Sequence, residues 1–161
     1  MIILGIDPGY DRLGLALIDK QESQKEKLIY STCLSSNKKD IFPLRLKTLG
    51  NQLESLLDQY SIDLIAIEDI FIANNKKTAT NIASVRGMIY YLGANRDISI
   101  INLSPLEIKK IVTGYGQADK NQIINLVKKL IEIPKTVILD DEFDAIIIAL
   151  AGLIKNRFQA R

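Results

Sequence analysis

The stretch Ile2-Ile3-Leu4-Gly5-Ile6-Asp7-Pro8-Gly9-Tyr10-Asp11-Arg12-Leu13-Gly14-Leu15-Ala16-Leu17-Ile18 decides the fold class. Its opening apolar run stops at Asp7-Pro8-Gly9, a turn signal, which predicts a short buried strand over residues 2–6. Residues 14–18 predict a second strand after a short connection, and residues 27–34 a third, with the polar segment 20–27 as the hairpin tip. Hairpin steps imply antiparallel pairing of these three strands. Beyond them the period changes. Leu44, Leu46, Leu49, Leu53, Leu56 and Leu57 recur at helical spacing, with Pro43 near the start, where proline is tolerated.

Residues 62–68 read as a fourth strand that ends on a carboxylate, Glu68. Residues 78–95 carry Ile82, Val85, Ile89 and Leu92 at helical spacing, and residues 98–103 form a fifth strand. Ser104-Pro105-Leu106-Glu107 combines an N-cap, a proline at the first helical position and a glutamate three residues after the cap, so a helix starts there. Gly114-Tyr115-Gly116 breaks it. Two more helices are predicted over 118–131 and 141–156. This order predicts one α/β domain over residues 1–161, with a five-stranded mixed sheet whose first three strands are antiparallel and whose later strands are returned by helices.

With 161 residues, 47% hydrophobic and 25% charged, the chain has a globular composition, which excludes a disordered tail. It lacks an apolar run long enough for a membrane span, and its first residues lack the basic region of a signal peptide. A lone cysteine, Cys33, fits a reducing cytoplasm and is expected to pack as a small buried hydrophobe. The chain contains no histidine, which removes every His-based triad, His metal site and imidazole acid/base mechanism. Carboxylates, hydroxyls, amines or metal ions must carry any catalysis. The net charge of +2 identifies no partner, but residues 74–129 hold nine basic residues against three acidic ones. Such a block suits phosphate, and it suits a solvated helix face almost as well.

Asp7 and Glu68 end the first and fourth strands, and open α/β sheets place their sites beyond the carboxyl ends of strands. If those strands are neighbours, the two carboxylates meet. Asp141 and Asp144 lie three residues apart at the start of an apolar helix and share one face. Each acid has an ordinary reading as well. Asp7 suits a turn, Glu68 sits beside Asp69 as strand-end charge, and Asp140, Asp141 and Glu142 suit a helix N-terminus through the dipole, the preferred reading for Asp140. Asp144 resists such a reading, because residues 145–150 are all apolar. Four converging acids repel one another, and Mg²⁺ resolves that repulsion with carboxylate oxygens while keeping waters for a substrate phosphate. Two ions about 3.5–4 Å apart would hold both the attacking and the leaving oxygen of a phosphodiester.

Six segments then carry a resemblance: Ile3-Leu4-Gly5-Ile6-Asp7-Pro8-Gly9, Ile67-Glu68-Asp69-Ile70-Phe71, Ala83-Ser84-Val85-Arg86-Gly87, Pro105-Leu106-Glu107-Ile108-Lys109-Lys110, the segment 114–122 and Asp141-Glu142-Phe143-Asp144-Ala145. In order and spacing they resemble the RuvC family of crossover junction endodeoxyribonucleases, within the ribonuclease H-like superfamily. The resemblance implies a nuclease, a hydrolase that resolves four-way (Holliday) junction DNA by paired symmetric nicks in DNA recombination and repair. It places the family's metal-binding catalytic carboxylates on Asp7, Glu68, Asp141 and Asp144, with two Mg²⁺ ions per site and Mn²⁺ as a substitute. The pattern Asp-x-x-Asp-Ala selects Asp141 over Asp140. Phe71 matches an aromatic that acts as a base-stacking wedge, and Lys109 and Lys120 match lysines implicated in DNA binding and cleavage. Lys76 and Lys77, expected on the loop after Phe71, are candidate phosphate contacts without a family counterpart. Gly114 and Gly116 suit a loop approaching DNA or an ordinary helix C-cap. A cytoplasmic homodimer is implied, because two opposed cuts need two sites, and residues 78–95 are its candidate interface. A branch-migration complex (RuvA/RuvB-like) is a further candidate partner.

The resemblance has rivals. Segment 11–16 also resembles the YqgF-type nucleases that act on structured RNA. Asp7-Pro8-Gly9 resembles the phosphate loop of actin–sugar-kinase nucleotide-binding modules, which need two lobes.

Overall fold

Alternation along the strands separates two apolar faces, and that separation sets the architecture of the computed structural model, which describes residues 1–21, 24–69, 76–131, 133–134 and 139–159. In β1 (Ile2–Asp7), Leu4 and Ile6 point to one face of the sheet while Ile3 points to the other. β4 (Leu64–Glu68) divides the same way, with Ile65 and Ile67 opposite Leu64 and Ala66. β2 (Arg12–Asp19) and β3 (Lys27–Ser35) pair antiparallel, and β2 pairs antiparallel with β1. β1 and β4 run parallel, as do β4 and β5 (Ser99–Leu103). The sheet order is β3-β2-β1-β4-β5, so the first and fourth strands are neighbours at its centre.

Helices α1 (Phe42–Gln59) and α2 (Lys76–Ala94) cover the Leu4/Ile6 face with Leu49, Leu53, Val85 and Ile89, all fully buried. Helices α3 (Pro105–Thr113), α4 (Lys120–Leu130) and α5 (Asp140–Gln159) cover the other. Ser104 and Glu107 close the expected capping box at the start of α3, and Asp119 with Gln122 closes another at α4. Gly114 ends α3 in the left-handed region with φ of 75° and returns its N–H to the Lys110 carbonyl, so it serves as the helix C-cap.

α5 lies unusually close to the sheet because the sequence removes side chains beneath it. A Cβ added at Gly5 would lie 2.2 Å from the Ala145 carbonyl oxygen and 2.4 Å from the Ala149 nitrogen. One added at Gly14 would lie 2.1 Å from the Asp141 carbonyl oxygen, and one at Gly152 would lie 2.5 Å from the Ala66 Cβ. These contacts trace the helix from β2 at its first turn, across β1, to β4 in its second half. The absence of side chains at these positions thus fixes where Asp141 and Asp144 stand.

The structure departs from expectation in a few places. Lys76 and Lys77, expected in a loop, form the first turn of α2 in their backbone, because the helix begins two residues earlier than its apolar pattern. Their side chains, and all of Phe71, lie outside the described residues. α1 begins at Phe42 and β4 at Leu64, and α4 occupies a shorter span than 118–131 because Asp119 caps it. Cys33 is half-buried, not enclosed: it lies on the edge strand β3 beside Arg12, where no helix covers it fully. Among the described residues no helix is long and apolar enough to cross a membrane.

Candidate active site

Parallel pairing of Ile6 with Ile67 brings the next residues, Asp7 and Glu68, side by side at the carboxyl ends of adjacent strands, about 4.8 Å apart in the pairing direction. Strand alternation turns both side chains away from the Leu4/Ile6 face and toward α5. Gly14, paired with Asp7 in register, lies under the Asp141 carbonyl, so the first turn of α5 sits over these strand ends. Asp141 and Asp144 lie one turn apart, both near enough to act on Asp7, and Asp144 near enough to act on Glu68.

Burial and like charge make this cluster electrostatically tense. The Asp7 carboxyl is pushed up to about 7 by burial and by the neighbouring charges of Asp144, Glu68 and Asp141, with Lys120 opposing. Burial and the Asp144 charge raise Glu68 as well, against the pull of the Arg86 guanidinium. The helix-borne acids have cations of their own. Arg12 Nη2 lies 2.5 Å from an Asp141 oxygen, and Lys120 Nζ donates to Asp144 at 3.1 Å. Burial works against the Lys120 ammonium, but the hydrogen bond to Asp144 and the Asp144, Asp140 and Asp7 charges raise it overall. Asp140 points outward, with its side chain 85% exposed and 3.9 Å from Lys120.

Between α3, α4 and α5 a cavity of about 280 Å³ opens against the cluster. Its floor is apolar, formed by Ile108, Ile123, Ile147 and Ile148, and Glu68, Asp144, Lys109 and Lys120 line it. Acids and lysines lining one cavity suit a phosphate held against cations.

Oxygen-only donors match a hard divalent cation, and burial and neighbouring acids raise the Asp7 carboxyl in the same cluster. With Asp141 on Arg12 and Asp144 on Lys120, no three acids among the described residues converge at metal-ligand range. Those two bases supply the neutralising charge.

Two buried arginines escaped the sequence reading as site residues. Arg45 and Arg86 are 9% and 8% exposed, and each holds the backbone just past a strand-borne acid. Arg45 donates to Ser36 Oγ at 2.9 Å, to the Tyr10 carbonyl at 3.0 Å and to the Asp11 carboxylate, and packs over the Tyr10 ring. It clamps the turn that follows Asp7. Arg86 holds the end of β4. The readable signal for Arg86 was a cation on the same helical face as Val85, Ile89 and Leu92. The pairing of Arg12 with Asp141 joins β2 to α5 across the fold.

Comparison with known proteins agrees with this architecture. The crossover junction endodeoxyribonuclease RuvC of Petrotoga mobilis is 37% identical over 160 residues, covering 99% of this chain and 98% of its own. That of Rickettsia bellii is 35% identical over 158 residues, covering 98% and 100%. Among solved structures, Thermus thermophilus RuvC in complex with a Holliday junction substrate superposes with a TM-score of 0.92 at 19% identity, over 99% of this chain and 96% of that one. The yeast mitochondrial Holliday junction resolvase Ydc2 gives 0.72 at 17% identity, over 94% and 77%. At such identities the likeness is one of fold, and the fold is the same five-stranded α/β sheet. The family model described as Crossover junction endodeoxyribonuclease RuvC matches residues 3–152, and with relatives above 30% identity along nearly the whole chain, this protein belongs to the RuvC family.

Proposed function

We propose that this chain is a structure-selective endonuclease that resolves four-way DNA junctions in the cytoplasm by paired symmetric nicks. The observation that carries this reading is the placement of Asp7 and Glu68 on adjacent parallel strand ends under the first turn of α5, which bears Asp141 and Asp144, beside a lysine-lined cavity. The four carboxylates would hold divalent cations, Mg²⁺ by preference and Mn²⁺ as a substitute, two per site. When bound, such cations supply Lewis acidity and neutralise charge building on a phosphate. Asp7 and Glu68, fixed on the sheet, set the position of the scissile phosphate. Asp141 and Asp144, paired here with Arg12 and Lys120, would hold cations in place of those side chains. Lys120, released from Asp144, and Lys109 at the cavity wall meet the phosphate backbone. No protein nucleophile is required, since a positioned water suffices for in-line displacement.

Phe71, Lys76 and Lys77 complete the proposed DNA contacts, with Phe71 stacking on a base at the junction centre. Two opposed nicks require two sites, so the working unit is a homodimer with two-fold symmetry. The outer face of α2 supports this assignment: Ala83, Gly87 and Tyr91 recur there at one-turn spacing, and Tyr91 is 64% exposed. A branch-migration complex is the proposed upstream partner.

The test is incubation with a mobile four-way junction, a linear duplex and a structured RNA, each with Mg²⁺ and with EDTA. The expected result is symmetric nicking of the junction alone, only with Mg²⁺. Faster cleavage of the RNA would overturn the reading. For the dimer, a mixed species of one wild-type and one Asp7→Asn protomer should nick a single strand. Two-strand resolution by that species would end the two-site proposal.

A further inference from the structure

A buried guanidinium is costly unless every donor finds a partner, so its position requires an explanation. The Arg86 side chain extends from the sheet-facing side of α2 and lies beneath the carboxyl end of β4. Its Nη1 donates to the Glu68 backbone carbonyl, and its Nη2 lies 2.9 Å from the Asp69 carboxylate, 2.5 Å from the Tyr90 hydroxyl and 2.9 Å from the Asn102 side-chain oxygen. Tyr90 itself donates to Asn102 at 2.7 Å, and the Asp69 amide closes onto the Leu103 carbonyl at 2.8 Å. One side chain therefore joins α2, β4 and β5 at the residue whose carboxylate faces α5. Most of these bonds end on Glu68, on its neighbour Asp69, or on the strand beside them. An arginine that only filled space between helix and sheet would have no need of the Glu68 carbonyl.

We infer that Arg86 is a positioning residue for the proposed nuclease site: by holding the Glu68 carbonyl and the Asp69 carboxylate it fixes the end of β4, and with it the direction of the Glu68 carboxylate. The inference rests on the reading of Glu68 as a cation ligand. Groups that orient a metal ligand typically alter cation affinity or activity by about 10- to 100-fold when removed. Lysine in place of arginine keeps the charge but cannot span the carbonyl and the carboxylate together, because it lacks the planar fork.

The experiment compares Arg86→Met, Arg86→Lys and Asn102→Ala with wild type and with Glu68→Gln. Mn²⁺ binding is measured by titration without DNA, beside junction affinity in EDTA, kcat, KM and the melting temperature. Arg86→Met is expected to weaken Mn²⁺ binding about 10- to 100-fold and to lower kcat while junction affinity and KM stay unchanged. Arg86→Lys should recover part of the loss, and Asn102→Ala should weaken Mn²⁺ binding less than Arg86→Met. If Arg86→Met does not fold, the same comparison is made on Arg86→Lys and Asn102→Ala, which must then both weaken Mn²⁺ binding. Wild-type Mn²⁺ affinity and kcat in the folded Arg86 variants, with only the melting temperature lowered, would overturn the inference and make Arg86 a purely structural tie. Loss of both in Glu68→Gln with retention in Arg86→Met removes the positioning role alone. Retention of both in Glu68→Gln removes the ligand reading, and this inference falls with it.

Discussion

Asp7 and Glu68 stand on strand ends, whereas Asp141 and Asp144 stand on the first turn of a helix, and their surroundings treat the two pairs differently. The strand-borne acids are half-buried and have no ion pair among the described residues. Instead, buried arginines hold the backbone just beyond each of them. The helix-borne acids each take an exposed cation, Arg12 or Lys120. One half of the site is therefore rigid and electrostatically strained. The other half is neutralised by long side chains that can leave. Geometry comes from the sheet, and in the proposed function both halves would take cations.

The sharpest way to break this contrast is to remove the charges one at a time. Asp7→Asn, Glu68→Gln, Asp141→Asn and Asp144→Asn are each expected to lower junction cleavage by about three orders of magnitude, the scale of several kcal/mol of lost charge stabilisation. Junction binding should hold or tighten, since a negative charge facing phosphate has gone. Asp140→Asn, at a side chain that points into solvent, should stay within a few-fold of wild type. Near-normal cleavage by any of the four would remove that residue from the site and make its pair unequal.

The placement of the helix-borne pair depends on the glycines beneath α5. Gly5→Ala would force a Cβ to within 2.2 Å of the Ala145 carbonyl, backbone that cannot swing aside. The expected penalty is about 3 kcal/mol or more in denaturant unfolding, the upper end of overpacking. Cleavage should fall further than stability explains, because α5 must lift from β1. A variant that unfolds like wild type would show that the helix is not pinned there.

Strain at the strand-borne pair predicts a pH dependence. Because the folded Asp7 carboxyl is raised from 3.8 to about 7, the folded state binds a proton that the unfolded chain has released between those values. Asp7 therefore makes the metal-free protein less stable as pH rises from about 4 to about 7, each tenfold change in proton affinity being worth about 1.4 kcal/mol. Asp7→Asn should flatten that decline in melting curves. Millimolar Mg²⁺ should raise the wild-type melting temperature more at pH 8 than at pH 5, by binding the folded state. A melting temperature indifferent to both would count against the strained cluster.

The smallest effect belongs to the exposed cations. Arg12→Ala should cost less than about 1 kcal/mol of stability, since its side chain is 47% exposed and water screens the pair. It should also lower the Mg²⁺ concentration needed for half-maximal cleavage by a few-fold, because Asp141 no longer has a competing cation. A raised Mg²⁺ requirement would make Arg12 a supporting group, not a competitor.

Much of this contrast was legible in the chain. An apolar run stopped by the Asp7-Pro8-Gly9 turn signal and a second strand ending on a carboxylate placed Asp7 and Glu68 at strand ends, and the pairing of β1 with β4 was stated as a condition that the sheet order meets. The three-residue spacing of Asp141 and Asp144 and the capping box at Ser104 followed from helix geometry alone. Local sequence was less informative at element edges. Lys76 and Lys77 looked like loop because they precede the apolar pattern, and Cys33 looked enclosed because cysteine usually is. The burial of Arg45 and Arg86 also went unseen, since a basic residue within an amphipathic helix ordinarily points to solvent.

What the sequence by itself determined are the features set within one element: strand and helix periods, caps, turn glycines, and the elements on which the acids stand. Only the tertiary structure decided which groups those acids meet. Arg86 reaches the Glu68 carbonyl 18 residues away, Arg45 reaches the Tyr10 carbonyl 35 residues away, and Lys120 reaches Asp144 across 24. Arg12 meets Asp141 only because glycines at 5 and 14 let α5 settle onto β1 and β2. Periodicity is a property of neighbouring residues and survives in the linear text. An ion pair depends on two elements docking at one angle and depth, which close packing of the whole core determines.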